Sequence, residues 1–190
     1  MQRVNLLNKG HIDAAKADEH ATSEDFRKLF TEDMTGLYLL SLLLTANNEK
    51  AEQCFVAGVE DTVKGNPVFK EWAHSWAKRT IVNNAIKIMS PHPNRASGTF
   101  AGMPPEVGGG LQRTQDHQAT IASVLALEDF DRFVFVMSVL EQYPDKEGSD
   151  LLGCSEQDVR EARMRALQQI AEYTKHEVTE SKLSEEMQHG

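Results

Sequence analysis

The sequence predicts an all-α protein made of two small helical domains joined by a flexible linker, the second domain carrying a helix-turn-helix. Three observations predict it. Apolar residues recur three and four apart on both sides of the chain's middle, and nowhere do they alternate with the period of a strand. Proline and glycine gather in one stretch, Ser90 to Gln118, which holds Pro91, Pro93, Pro104, Pro105 and the triplet Gly108-Gly109-Gly110. Beyond it a short helical segment, a glycine and a serine-capped longer helix follow at the spacing of a helix-turn-helix. The division is therefore a helical domain over 1–89, a linker over 90–118, a helix-turn-helix domain over 119–175 and an acidic tail over 176–190.

Ser23 is placed as the N-cap of a first helix, with Glu24 and Asp25 in its first turn. Phe26, Leu29, Phe30, Met34, Leu37, Leu40, Leu43 and Leu44 supply its buried face. Thr45 to Asn48 interrupts it, and Glu49 to Lys64 resumes with Phe55, Val56, Val59 and Val63 before the stop at Gly65-Asn66-Pro67. A third helix after Pro67 carries Phe69, Trp72, Trp76, Ile81, Ala85, Ile86 and Met89. After the linker, Ile121 to Leu127 is helical, and a helix over about Asp129 to Gln142 buries Phe133, Val136, Met137 and Leu140 until Tyr143-Pro144 stops it. Lys146 to Leu152 forms a short helix closed by Gly153. Ser155 then caps a helix from Glu156 to about Tyr173 that turns Val159, Ala162, Ala166, Leu167 and Ile170 inward.

The 190 residues carry 20 Lys and Arg against 29 Asp and Glu, a net charge of −9, with no basic run. That total argues against indiscriminate polyanion binding, since phosphate affinity comes from clustered positive charge. The acid is uneven: the net charge is −1 over 1–89, zero over 90–118, −5 over 119–175 and −3 over 176–190. Cys54 and Cys154 stand a hundred residues apart, which excludes a disulfide framework or a zinc ribbon and predicts reduced thiols. The first twenty-odd residues lack the apolar core of a secretory signal. The greasiest segment, Leu37 to Leu44, lies in an uncharged window, Met34 to Asn48, shorter than the roughly 18 residues of a membrane span. A cytoplasmic protein without membrane contact is the expectation.

No catalytic constellation stands out. His11, His20, His74, His92, His117, His176 and His189 fall at no metal spacing, and the glycine triplet lacks the strand before it and the Lys-Ser/Thr after it that a phosphate loop needs. The expectation is a non-enzyme with no metal and no cofactor.

What stands out is Leu151-Leu152-Gly153-Cys154-Ser155-Glu156-Gln157-Asp158-Val159-Arg160-Glu161-Ala162-Arg163-Met164-Arg165-Ala166-Leu167. This segment resembles region 4 of the sigma-70 family, in its small extracytoplasmic-function group. There a Leu-Gly turn and Ser-Glu precede Val-Lys and an Arg-Ala-rich helix; Leu152, Gly153, Ser155, Glu156, Val159, Arg165 and Ala166 match, with Arg160 in the place of the lysine. Leu127, Arg132 and Val136 resemble the preceding helix of that region. The other half resembles region 2: Phe26 to Tyr38 its opening helix, Ala51-Glu52 its second helix, and Trp76 to Ile86 the segment used at the −10 element. Together the two likenesses span about residues 23–172.

The resemblance implies a factor that directs core RNA polymerase to promoter DNA, the first domain at the −10 element and the second at the −35, with an anti-sigma factor as a further partner. In the first domain Lys78, Arg79, Asn83, Asn84 and Lys87 form a polar, basic face opposite Trp72 and Trp76, suited to phosphates and to unpaired bases. The plainer alternative makes both tryptophans core residues. In the second domain Gln157, Arg160 and Arg163 share a stripe that suits the major groove, where Arg reads guanine and Gln adenine. Ser155 and the helix start suit a phosphate. The alternative there is a solvated helix whose charges pair along its own length. Gly148 stands where the family has an isoleucine, and four further positions depart from the pattern. Gln53, Val56 and Ala57 stand where an Asp-x-x-Gln-Glu pattern binds polymerase, and Ala162 stands where an arginine is usual. They carry the alternative function: a diverged sigma-like regulator acting through protein–protein interaction without promoter recognition.

Overall fold

A computed structural model describes residues 19–65, 67–93 and 115–188, with side chains over 19–65, 67–93 and 120–173. Residues 94–114, the greater part of the Pro/Gly-rich stretch, lie outside the described residues, as do residues 1–18 and the side chains of the acidic tail. The described chain is all-helical. Its α-helices are α1 (Ser23–Glu32), α2 (Met34–Thr45), α3 (Asn48–Lys64), α4 (Ala73–Met89), α5 (Gln115–Leu125), α6 (Asp129–Phe135), α7 (Asp145–Leu152) and α8 (Glu156–Gln188).

The first helix begins one residue earlier than the charge pattern suggests. Thr22, not Ser23, is its N-cap: the Thr22 hydroxyl accepts from the Asp25 N–H while the Asp25 carboxylate accepts from the Thr22 N–H at 2.8 Å, a reciprocal box. The single helix expected to run to Leu44 is two helices, divided at Asp33, which has left the helical conformation and accepts a hydrogen bond from His74 Nε2 at 2.8 Å. The division has a packing cause. α1 buries one stripe, Phe26 and Phe30, whereas α2 buries Leu37 and then every residue from Leu40 to Thr45. A helix that is apolar all round needs neighbours on every side. One straight rod could not serve both environments.

α2 is accordingly the spine of the molecule. On one side it packs against α3 and α4; on the other it meets α5, α6 and the turn after α6. The buried apolar cluster is continuous, from Phe30 and Leu37 through Ile81 and Val82 of α4 to Phe130, Phe133, Met137 and Val159. Close approach of α3 to α4 depends on Gly58, where a Cβ would lie 2.8 Å from Ile81 Cγ1. Arg132 of α6, 1% exposed, staples the junction: Nε donates to the Leu44 carbonyl at 3.3 Å, Nη1 to the Leu127 carbonyl at 2.7 Å, and Nη2 to Asp129. Burial depresses its guanidinium pKa, and the Asp129 carboxylate opposes that shift.

The helix expected over Asp129 to Gln142 is α only as far as Phe135; Val136–Leu140 widens into a π turn, with the Glu141 N–H donating to the Val136 carbonyl at 2.9 Å. Gln142 follows at φ 58, a left-handed conformation that a side chain disfavours. Pro144 then starts α7, and Gly153, at φ 65, closes it. Ser155 and Asp158 form a second reciprocal box at the start of α8, with Ser155 N donating to Asp158 Oδ2 at 2.9 Å and Asp158 N to Ser155 Oγ at 3.1 Å. α8 continues to Gln188, well past Tyr173, so its backbone takes in most of the stretch read as a tail. Among the described residues no helix is long and apolar enough to cross a membrane.

Candidate nucleic-acid interface

On α8, Val159, Ala162 and Ala166 face the core, which leaves Gln157, Arg160 and Met164 outward. Met164 is 69% exposed, and Leu167 further along the helix 44%. Gln157 Oε1 accepts from Arg160 Nη2 at 3.1 Å, so the two are held side by side. Arg163, expected on the same stripe, leans instead onto Asp145 at the start of α7, donating to both carboxylate oxygens. Arg165 likewise leaves its own helix and grips the buried Asp131 of α6 through Nε at 3.0 Å and Nη2 at 2.7 Å. These two arginines thus pair between helices, whereas Arg160 pairs along α8, its Nη1 3.5 Å from Glu156 Oε2.

Two carboxyl groups are held below their ordinary range by this arrangement. The hydrogen bond from Arg163 holds the Asp145 carboxyl below its usual range, with Arg160 adding a weaker pull. The Ser155 hydroxyl and N–H do the same for Asp158. A lowered native pKa means that the Asp145 contact contributes its full stabilisation above the ordinary carboxylate value of about 3.9, and loses it as pH falls through the lowered value. The Ser155 hydroxyl is engaged in the helix cap, so any phosphate at this helix start would compete with Asp158.

The five residues expected as one basic face of α4 are divided between two environments. Asn84 is buried and donates to Asp61 Oδ2 of α3 at 3.0 Å, and Lys87 Nζ lies 3.8 Å from the same oxygen. Asn83 is half-buried beside them in sequence. Lys78 and Arg79 point the other way, toward the C-terminal half. Lys78 Nζ lies 2.9 Å from Glu141 Oε2, and Arg79 Nη1 pairs with Glu147 Oε1.

These pairs stand in a cleft of about 550 Å³ whose lining includes Trp72, Trp76, Lys78, Arg79, Glu141 and Tyr143. The tryptophans therefore share a side with Lys78 and Arg79 rather than opposing them, and they are not core residues: Trp72 is 57% exposed and Trp76 half-buried. Trp72 packs edge-on to Phe69, 5.3 Å between ring centroids. Burial pushes the Tyr143 phenol up to about 12, so it is a neutral donor near neutral pH. Cys54 is also inert there: its thiol, raised to about 11 by burial, donates to the Ile81 carbonyl. Among the described residues no three His, Cys, Asp or Glu side chains gather to hold a metal ion.

Sequence reasoning missed the carboxylates that complete this surface: Asp61, Glu141, Asp145 and Glu147. Only Asp145 carried a local signal, its place in the first turn after Pro144. Comparison with family models, curated proteins and solved structures yields no match for this chain.

Proposed function

We propose that the chain is a promoter-specificity factor of the extracytoplasmic-function sigma type, with two helical domains, the second reading DNA through a helix-turn-helix formed by α7 and α8. The observation that carries the reading is the outward stripe Gln157, Arg160 and Met164 on a capped helix that follows a short helix and a left-handed glycine. Its side chains suit base edges in a major groove, and the stripe remains solvent-facing although the surrounding half is acidic. The N-terminal half contributes Lys78, Arg79 and the exposed Trp72 for phosphates and unpaired bases. Core RNA polymerase supplies the catalysis, and much of the positive field that a chain of net charge −9 lacks.

One observation favours the second reading, a sigma-like regulator that works by binding protein. Val56, at a position where the family pattern places a polar polymerase contact, is 48% exposed. An apolar side chain there suits an apolar partner better than a polar one.

Co-purification with core RNA polymerase at low salt, followed by run-off transcription from a dependent promoter, tests the proposal. Loss of both overturns it in favour of the second reading. Within the proposal, Arg160→Ala is expected to weaken promoter binding by about 1–3 kcal/mol while leaving the fold intact. Arg163→Ala should act mainly on stability, through Asp145. Binding measurements beside thermal melts separate the two, and equal effects on both quantities would show that Arg160 reads nothing.

A further inference from the structure

We infer that this structure is a self-masked form, in which the C-terminal half holds Lys78 and Arg79 away from nucleic acid through Glu141 and Glu147; the inference rests on the promoter-binding reading. Both ion pairs join residues more than sixty positions apart, across the two halves. The acceptors are positioned by unusual backbone. The π turn Val136–Leu140 ends at Glu141, and Gln142 at φ 58 turns the chain back so that Tyr143 and Pro144 wall the same cleft. A regular helix through Gln142 would present Glu141 elsewhere, so the irregular turn and the pairing go together. The Glu141 side chain is 15% exposed and Lys78 32%, which limits the room for a phosphate to displace that carboxylate; Arg79 and Glu147, 41% and 34% exposed, are the more accessible pair of the clasp.

The charge division gives the contact its sense. A half of net charge −1 offers two cations, and the segment of net charge −5 covers them. Below the clasp, α2 is apolar on every side and buries against both halves, so the closed form is the resting one and not a transient encounter. The proposed function also requires opening. The −10 and −35 elements lie about 25 base pairs apart, roughly 85 Å at 3.4 Å per base pair. Two halves that share one core cannot reach both at once. Whatever parts them uncovers the −10 surface at the moment it is needed.

The test uses the full chain and fluorescence anisotropy with a labelled, mixed-sequence single strand of roughly 20 nucleotides. Four forms are compared: wild type; Glu141→Gln with Glu147→Gln; the same pair combined with Lys78→Gln and Arg79→Gln; and a control that removes two exposed carboxylates elsewhere, Glu52→Gln with Glu172→Gln. Masking predicts that the cleft pair alone binds about tenfold more tightly at about 0.1 M salt, with a salt slope steeper by about 1.4 for two recovered phosphate contacts. The added Lys78 and Arg79 changes should abolish that gain. No gain in the cleft pair, an equal gain in the control, or a gain that survives loss of Lys78 and Arg79 overturns the inference. Polymerase co-purification on the same proteins keeps the two claims apart: if it fails while the gain appears, masking stands and the sigma-type reading falls.

Discussion

α4 and α8 carry comparable basic side chains and pair them with different parts of the molecule. On α4, Lys78 and Arg79 line a cleft and pair with Glu141 and Glu147, and Lys87 is drawn toward Asp61. On α8, Arg160 and Gln157 stay outward beside the exposed Met164, with Arg160 paired to Glu156 of the same helix at 3.5 Å. Net charge alone suggests the reverse, because α4 belongs to a nearly neutral half and α8 to an acidic one. Exposure does not separate the two helices, since the Arg79 side chain is 41% exposed and that of Arg160 47%; what differs is the source of the partner carboxylates, which come from the other half for Lys78 and Arg79 and from the same half for Arg160. The acidic half spends part of its excess on its neighbour, and Asp131 and Asp145 absorb Arg165 and Arg163 at home. What remains exposed on α8 is a narrow stripe, suited to selective contact more than to general attraction.

The largest expected effect comes from breaking the junction beneath the α4 clasp. Arg132→Ala strands the Leu44 and Leu127 carbonyls, leaves Asp129 without its partner and opens a void in a closed core. A loss of about 2–5 kcal/mol is expected, the range for truncating a large buried side chain, with the stranded carbonyls adding to the void while Asp129, 54% exposed, is resolvated. Urea unfolding measures it. A change below about 1 kcal/mol would mean that the junction does not depend on this staple. Next in size, Gly58→Ala drives a methyl into Ile81 Cγ1 and forces α3 and α4 apart, at a cost of about 1–3 kcal/mol. If α4 is seated as firmly as its inward-turned cations imply, the loss should appear in the same unfolding transition. A separate early transition would show that α4 moves independently of the clasp.

Much of the helical framework is legible in the sequence because its causes are local. The stop at Gly65, the glycine closing α7 and the serine cap of α8 are set by residues within a turn of each boundary. Local causes also explain the near misses: Thr22 outcompetes Ser23 because Asp25 completes the box with Thr22. The clasp is different. Lys78 and Glu141 are 63 positions apart and Arg79 and Glu147 68, and no periodicity links residues at such separations. One signal did bear on it. Leu37 to Leu44 is uncharged and apolar on every side, more than a helix serving a single small domain requires, and that excess marks a helix with neighbours on both flanks. The π turn left no comparable trace, since Val136 to Leu140 has the composition of ordinary α-helix. The outward stripe on α8 was readable in part: Gln157 and Arg160 follow from helical spacing, whereas the diversion of Arg163 depends on where Asp145 stands in three dimensions.

The smallest expected effect sharpens the α8 side of the comparison. Gly148 sits inside α7 and is buried, yet a Cβ there would meet only Val159 Cγ1, at 3.9 Å, an ordinary contact. Glycine within a helix costs about 0.5–1 kcal/mol relative to alanine through lost backbone entropy, and nothing here offsets that cost with a close approach or a left-handed backbone. Gly148→Ala should therefore stabilise the protein by up to about 1 kcal/mol, raising Tm by roughly 2–4 °C for a chain of this size. The added methyl falls on Val159, the buried residue one position before Arg160, so it firms the support of the outward stripe without touching it. If α8 is a rigid, open reading surface, promoter affinity should stay the same while Tm rises. A rise in Tm accompanied by weaker binding would mean that α8 has to shift on α7 to engage DNA, and that an outward stripe is only part of what binding requires.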